Sequence, residues 1–488
     1  MLKDYKSIMK HTSIYALGNI LSKMVGFFMI PIYTRHLTPA DYGVLELISL
    51  VLTVMSRLLS LRLTAGMMRF YYEYDEPGEK KSLISTSQIS MIIIAGLTFF
   101  SLVYGSRYAS IFVFGSDAYE HFFPYIFASL GFELISSVCF TYIRILQRSG
   151  YFMFMSMLQL VVGLGLNIYL IVYLKLGVQG VVYSMVISNG MTACVLSAFT
   201  FWKVKVHFDF SKLKKLVKFG LPMIPAGLLI FLLNTGDRYL ISRLSTLEEL
   251  GIYGLGYKFG MLLGVFIGTP FLSIWGPKRM EIYRTHPNPP EVYARVFLYI
   301  FFVFSFVGLT LSLLTSDLLI FITTPEYYGA GKVVPLVVVG YMFYNLYYVI
   351  DIGFFIKKKV YWYPLINIVG VICNFGLNII LIPRIGAYGA AIMTAISFFL
   401  CALMALVVSQ KYYPIKYDYA RIFKMLIIAC FCFYIGGLLD FKDPYLRIIS
   451  KALIVLVYPV LLYITGFFEK NEITLVQSLF VGKKKRSE

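Results

Sequence analysis

The sequence predicts an all-α polytopic membrane protein of about fourteen helices: two similar six-helix lobes followed by two further helices. Three observations carry that reading. Of the 488 residues 59% are hydrophobic, mean hydropathy is +0.76, and apolar runs of about 18 residues or more recur along the whole length. These runs are continuous, whereas a membrane barrel would show alternating segments of about 10 residues. Finally, the second half of the chain repeats the first.

The repeat is collinear. The stretch IYTRHLTPADYGV, Ile32 to Val44, has a counterpart in YLISRLSTLEELGIY, Tyr239 to Tyr253, where Leu37-Thr38 matches Leu244-Ser245 and Gly43 matches Gly251. Gly96-Leu97-Thr98 recurs as Gly308-Leu309-Thr310, Gly165-Leu166-Asn167-Ile168 as Gly376-Leu377-Asn378-Ile379, and Gly177-x-x-Gly180 as Gly386-x-x-Gly389. The offset stays at about 206 to 212 residues, far beyond a solenoid period of about 20 to 50. Two like halves around a central site is a common plan of secondary transporters.

The candidate spans, each an apolar run between charged or turn-forming residues, are about 13–33, 42–65, 83–105, 121–143, 152–174, 179–202, 219–242, 250–275, 295–315, 332–355, 362–382, 387–409, 421–439 and 446–466. The first follows a basic start, MLKDYKSIMKHTS, but is too long for a signal peptide and has no small-residue cleavage site, so it reads as an uncleaved helix. Spans one to six form an N-terminal lobe, residues 1–206. Residues 207–218 link it to a second lobe, 219–410, and residues 411–488 hold the last two helices and a basic tail. In the linker HFDFSKLKKLVKFG, residues Phe208, Phe210, Leu213, Leu216 and Val217 can share an apolar face opposite Lys212, Lys214 and Lys215. It reads either as an interfacial amphipathic helix or as a plain basic loop.

An even span count puts both termini on one side. About 30 of the 44 Lys and Arg fall on that side and about 9 on the other, so the positive-inside rule makes both termini cytoplasmic. The net charge of +19 is then a topology signal, and no nucleic-acid partner is expected. The six cysteines fall in or beside spans and read as small packing residues, with neither disulfide nor metal site implied. A Walker-type phosphate loop and an H-E-x-x-H zinc motif are both missing, so no enzyme chemistry is expected.

Ionisable residues inside spans are costly, and each is a candidate functional group. In the first span Asn19 and Lys23 fall on one polar stripe. In the second, Glu46, Ser49, Thr53, Arg57, Ser60 and Thr64 recur at three- and four-residue steps, so Glu46 and Arg57 share a face about three turns apart. Arg62, off that stripe, reads as snorkelling to the inner surface, and Asp351 as similarly terminal. In the seventh span Asn234, Thr235, Arg238 and Ser242 line one side beside Asp237, and Pro222 and Pro225 would loosen its start as a hinge. Lys258 lies in the eighth span. Glu133 sits mid-span in the fourth, where it could pair with Arg57 or Lys23 or carry a proton. Lys23, Arg57, Arg238, Lys258, Asn19 and Asn234 are the candidate substrate contacts of a basic cavity suited to an anion. Glu46, Glu133 and Asp237 are the candidate ion-pair or coupling acids.

These residues bring a resemblance. NILSKMVGFFMIPIYTRHLTPADYGVLELI, LVKFGLPMIPAGLLIFLLNTGDRYLISRLS with ELGIYGLGYK, and the pair GVQGVVYSMVIS and GAYGAAIMTAIS together resemble the polysaccharide-biosynthesis, or oligosaccharide, flippases. That family belongs to the multidrug and oligosaccharidyl-lipid exporter superfamily. The resemblance implies a MATE-like pair of six-helix lobes related by a pseudo-two-fold axis. It implies movement of a lipid-diphosphate-linked oligosaccharide from the inner to the outer leaflet of the bacterial cytoplasmic membrane. Lys23, Arg57 and Arg238 fall where the family's cavity cations are expected. Drug exporters of the superfamily often carry an acid in the first span, where this chain has Lys23.

The expected activity is therefore flipping of an undecaprenyl-diphosphate-linked oligosaccharide by alternating access in the inner membrane, without a cofactor. Sodium, protons or the membrane potential are the candidate driving forces. The expected partners are membrane lipids and the polysaccharide polymerase or export machinery around a monomeric transporter. The alternatives are a peptidoglycan-precursor lipid flippase, a multidrug exporter, and a membrane polymerase or glycosyltransferase. The last usually needs a sizeable external loop, and the longest here, about Ser316 to Gly331, is short.

Overall fold

The computed structural model describes residues 26–468. Asn19, Lys23 and much of the first expected span lie outside them. Every regular element among the described residues is helical. Of about fourteen expected spans, the described residues hold 11 helices long and apolar enough to cross a membrane, or 12 if the bent pair Phe210–Met223 and Gly227–Thr235 is one span. The 51-residue run Trp362–Tyr412 counts once in that total. At about 1.5 Å per residue it would reach more than twice the ~30 Å hydrocarbon core. It is two helices, because Ile385 and Gly386 leave helical geometry and Gly386 takes φ +62° to turn the chain.

Two compact units divide the chain: Met1–Gly254 with Phe375–Ala390, and Leu255–Asn374 with Ala391–Glu488. The repeat divides it elsewhere, near residues 206 and 410.

The first unit holds α1 (Ile30–His36), α2 (Pro39–Leu59), α3 (Leu63–Phe70), α4 (Pro77–Tyr104), α5 (Ser106–Phe114), α6 (Phe123–Ile145), α7 (Ser149–Ile168), α8 (Gly177–Val204), α9 (Phe210–Gly220), α10 (Ile224–Thr235), α11 (Asp237–Leu244) and the start of α12 (Leu247–Leu263). Thr38 and Asp41 start α2 with a capping box, each side chain bonding the other's backbone N–H, and Pro39 occupies the first turn, where no donor is lost. Leu83, Met91, Leu130, Leu134 and Val138 form a fully buried seam where α4 and α6 pack.

One expected span is broken. In place of a continuous helix over 42–65, the chain leaves α2 at Ser60 and takes Leu61 and Arg62 through left-handed geometry, φ 45° and 52°. Each such residue costs on the order of 1 to 3 kcal/mol, so packing must hold it there. Gly220 helps to do so: a Cβ at that position would collide with the Leu61 carbonyl.

The linker is a helix, α9, capped by the Asp209 carboxylate on the N–H groups of Ser211 and Lys212. Its polarity differs from the expected one. Leu213, Leu216 and Val217 pack into the core of the first unit, but Phe208 and Phe210 are exposed. Lys212, expected on the solvent side, is buried and binds Glu79 at 2.9 Å and Asp209 at 3.7 Å, while Lys215 reaches Glu73 at 3.3 Å. The Glu79 carboxylate at the start of α4 draws Lys212 inward, while Lys215 meets Glu73 at the surface.

The second unit continues with α13 (Thr269–Thr285), α14 (Pro289–Ile322), α15 (Ala330–Ile350), α16 (Ile352–Ile356) and the outer parts of the 362–412 run. It ends with the hairpin α18 (Tyr419–Leu438) and α19 (Pro444–Ile464), the run itself being counted as α17. Two acids here depart from expectation. Asp317, expected in an external loop, lies within α14, buried, and holds Arg447 at 2.5 Å and Lys451 at 2.7 Å on α19. Asp351, expected at a water-facing end, is buried between α15 and α16, bonded to Arg279 at 2.6 Å and to the Tyr363 hydroxyl. Both are paired buried ions that pin helices together.

Candidate functional site

Within the first unit a cavity of about 340 Å³ is lined by Thr53, Ser56, Arg57, Ser60, Arg62, Thr64, Glu133 and Ser137. Its floor follows from the polar stripe of α2, because residues at three- and four-residue steps share one helix face. The Arg57 Nη1 donates to the Gly227 carbonyl at 3.3 Å, and its guanidinium lies 5.3 Å from the centre of the Phe231 ring. Gly227 has no side chain to fill this corner. A Cβ there would collide with the Arg62 guanidinium and stand 3.7 Å from that of Arg57. The glycine thus lets two guanidinium groups crowd against the start of α10.

Arg62 corrects the snorkelling reading. In an unbroken helix of 3.6 residues per turn, Arg57 and Arg62 would point about 140° apart. The left-handed pair Leu61-Arg62 re-aims the second side chain into the same cavity. Its Nε is buried and finds no hydrogen-bond partner among the described residues. The sequence signal available was only the charge itself, since neither glycine nor proline marks the break.

Glu133 faces this cavity from α6 and accepts a hydrogen bond from Ser56 at 3.5 Å. It is exposed to the opening. Among the described residues, two guanidiniums, one carboxylate and five hydroxyls line the pocket, a net positive set rich in donors that suits phosphate oxygens.

Glu46, Asp237 and Arg238 form a different arrangement. The Arg238 Nε bonds Glu46 at 3.1 Å and its Nη1 bonds Asp237 at 3.2 Å. Tyr253 donates its hydroxyl to the second oxygen of Asp237. All three charged side chains are at most 8% exposed. Arg238, placed beside Arg57 as a cavity cation by the sequence, is here committed to two carboxylates about 16 Å along α2 from Arg57. Tyr253 escaped the sequence reading, because a tyrosine among 39 carries no distinguishing signal.

The same region holds a close helix crossing. A Cβ on Gly43 would collide with the Leu247 carbonyl, and one on Gly251 with the Pro39 carbonyl. Gly43 and Gly251, like Pro39 and Leu247, are about 208 residues apart, so the two contacts are reciprocal within the repeat and α2 and the start of α12 meet backbone to backbone. Glu46 packs over Gly254 in the next turn.

Asn234 turns its amide back to the Ile230 carbonyl at 2.7 Å. Pro222 lies in a single 3₁₀ turn, Leu221–Met223, and Pro225 in the first turn of α10, at a 43° bend between α9 and α10. Lys258, half-buried on α12, belongs to the second unit.

Long apolar helices in this number, with ion-paired side chains held inside them, define a multi-pass membrane protein. Comparison with known proteins makes it more particular. The family described as polysaccharide biosynthesis protein matches residues 8–277, and the chain belongs to that family. It is 21% identical over 365 residues to Lsg locus putative protein 1 of Haemophilus influenzae, covering 69% of this chain and 85% of that one. Its fold is similar to the lipid II flippase MurJ in an inward closed conformation, with TM-score 0.74, 14% identity, 92% of this chain and 98% of that one. It is also similar to an inward-facing multidrug resistance MATE family transporter, with TM-score 0.63, 13% identity, 80% of this chain and 94% of that one.

Proposed function

We propose that this protein moves an oligosaccharide carried on undecaprenyl diphosphate from the cytoplasmic to the outer leaflet of the bacterial inner membrane, by alternating access and without chemical change to its cargo. The observation that carries this reading is the Arg57–Arg62 pair crowded against Gly227 in a hydroxyl-lined intramembrane cavity. Two guanidinium forks suit a diphosphate, whose charges cannot enter hydrocarbon unpaired. The sugar would occupy the wet opening while the polyprenyl tail stays in lipid. Family membership supports a saccharide on a lipid carrier. Lys23 is the further candidate cation on the first span. Both termini are assigned to the cytoplasm by the distribution of basic residues. A monomer working beside a polymerase or export complex completes the reading.

The fold shared with a lipid II flippase favours one second reading, a peptidoglycan-precursor lipid as cargo. One experiment separates the two. Lipid-linked saccharides are extracted from cells with and without the gene, assigned to a leaflet and identified by mass spectrometry. A complete oligosaccharide repeat unit accumulating on the cytoplasmic face is the expected result. Accumulation of the peptidoglycan precursor selects the second reading, and unchanged lipids reject both.

A further inference from the structure

We propose that the corner where the chain leaves α8 and enters α9 is a site for an anionic phospholipid of the cytoplasmic leaflet, held by lysines around an exposed apolar patch. Such a site is separate from the cargo cavity and does not depend on what the cargo is. Local geometry builds the patch. At about 1.5 Å per residue the 28-residue α8 is about 42 Å long, more than the ~30 Å hydrocarbon core, so Trp202 near its end falls at headgroup depth. The chain then runs outside helical structure to Asp209, where the Ser85 and Thr86 hydroxyls of α4 accept the N–H groups of His207 and Asp209. With its backbone pinned there, the segment leaves Val206, Phe208 and Phe210 exposed, and Trp202 is 75% exposed. Tryptophan and phenylalanine beside lysines are the side chains that settle at a membrane–water boundary.

The charges around the patch are one-sided. The nearby acids are engaged: Asp209 caps α9 and meets Lys212, Glu79 binds Lys212, and Glu73 binds Lys215. Lys203, Lys205, Lys214 and Lys218 are exposed and form no ion pair among the described residues. The Lys203 ammonium lies 4.1 Å from the centre of the Trp202 ring. Phe210, Lys214 and Lys218, at four-residue steps, share the outer face of α9. Lys205 turns the corner at φ 62°, a geometry that glycine takes without strain. A lysine kept there supplies a cation that glycine could not. Apolar side chains at bilayer depth, rimmed by lysines, match the acyl chains and the phosphodiester of one anionic lipid. A soluble acidic partner would satisfy the lysines and leave Trp202 and Phe210 without a fitting neighbour.

Trp202 is its own reporter. The full-length protein is reconstituted in phosphatidylcholine vesicles carrying a minor fraction of lipid brominated near the headgroup end of its acyl chains, either phosphatidylglycerol or phosphatidylcholine. Bromine quenches tryptophan fluorescence on contact, and the signal lost in Trp202→Phe separates Trp202 from Trp275 and Trp362. At equal mole fraction, brominated phosphatidylglycerol is expected to quench Trp202 several-fold more efficiently, because each lysine near an anionic surface is worth about a fivefold preference. The excess should shrink as salt rises. Lys203→Gln/Lys205→Gly/Lys214→Gln should abolish it and keep the wild-type thermal midpoint within a few degrees. Equal quenching by the two lipids, or an excess unchanged by salt or by the triple substitution, overturns the inference. A Trp202 that neither lipid quenches also overturns it and shows the patch to be covered by protein or water. Should the triple variant fail to fold, the salt titration of the wild type decides by itself.

Discussion

The first unit contains two clusters of intramembrane charge that look alike in sequence and differ in kind. Around Arg238, two carboxylates and a tyrosine hydroxyl enclose the guanidinium, and at most 8% of any charged side chain is exposed. Arg57 and Arg62 instead face a cavity whose described lining is five hydroxyls and the Glu133 carboxylate, with Arg57 also meeting the Gly227 carbonyl and the Phe231 ring. A buried cation whose donors meet carboxylates has its electrostatic needs met within the fold and is expensive to disturb. A cation that faces a cavity is placed to meet an anion that enters it. What separates the two here is enclosure by carboxylates against exposure to a cavity, since α2 contributes a charge to each cluster.

The largest expected effect breaks the closed cluster. Arg238→Ala leaves Glu46 and Asp237 buried without their cation, and Glu46→Ala removes half of the same pairing. Each should cost about 3 to 5 kcal/mol of stability. Thermal unfolding in detergent, followed by size-exclusion chromatography, should show a much lower midpoint and yield. The contrast is Arg57→Ala/Arg62→Ala, which should keep the wild-type midpoint within a few degrees and lose flipping altogether. Should the second pair unfold the protein and the first leave it intact, the assignment of the two clusters is reversed.

Next in size is the glycine crossing. Gly251→Ala places a methyl group against the Pro39 carbonyl, and Gly43→Ala one against that of Leu247, so the helix backbones must separate. Overpacking of this kind costs about 1 to 3 kcal/mol. Because Glu46 packs over Gly254 in the adjoining turn, the separation should also loosen the Glu46–Arg238 pair. Hydrogen exchange over residues 39–50 and 247–254 should rise several-fold in either variant. Protection unchanged from the wild type would show that the crossing has slack.

A smaller change sharpens the open cluster. Arg57→Lys keeps a charge but replaces the planar fork by a point charge, and so loses the simultaneous contact with the Gly227 carbonyl, the Phe231 face and a phosphate. Flipping should fall roughly tenfold, between wild type and Arg57→Ala. Full activity would mean that charge alone matters at this position.

Much of the fold was legible because the bilayer imposes it: apolar runs of span length and their repetition mark the helices directly. The break at Ile385-Gly386 was legible too, as the gap between the spans 362–382 and 387–409. The break at Leu61-Arg62 was not, because left-handed residues without glycine are held by tertiary contacts such as Gly220 on the Leu61 carbonyl. For the same reason the stripe on α2 showed Arg57 as a cavity residue and concealed Arg62. Ion pairing across helices was the other blind spot. Periodicity places Glu46, Asp317, Asp351 and Lys212 on a face or at an end, but whether an opposite charge from another helix meets them depends on packing between segments far apart in sequence.

The smallest expected effect concerns the surface of the first unit. Partial desolvation alone would raise the Asp209 carboxyl, but the N–H groups of Lys212 and Ser211 and the Lys212 ammonium outweigh it and hold the carboxyl below its ordinary value of 3.8. A depressed folded-state value means that the cap's contribution is present above about pH 4 and is lost as pH falls through the lowered value. Acidification over that window should therefore fray the start of α9 while Leu216 keeps its far end docked. Hydrogen exchange of residues 209–213 should increase modestly below pH 4 relative to residues 214–220, and Asp209→Asn should abolish that pH dependence. A uniform increase along the helix would instead place the acid-sensitive contact at the Glu73–Lys215 pair, whose carboxylate is likewise held below its usual range against an opposing desolvation by its bonds to Lys215 and Arg69.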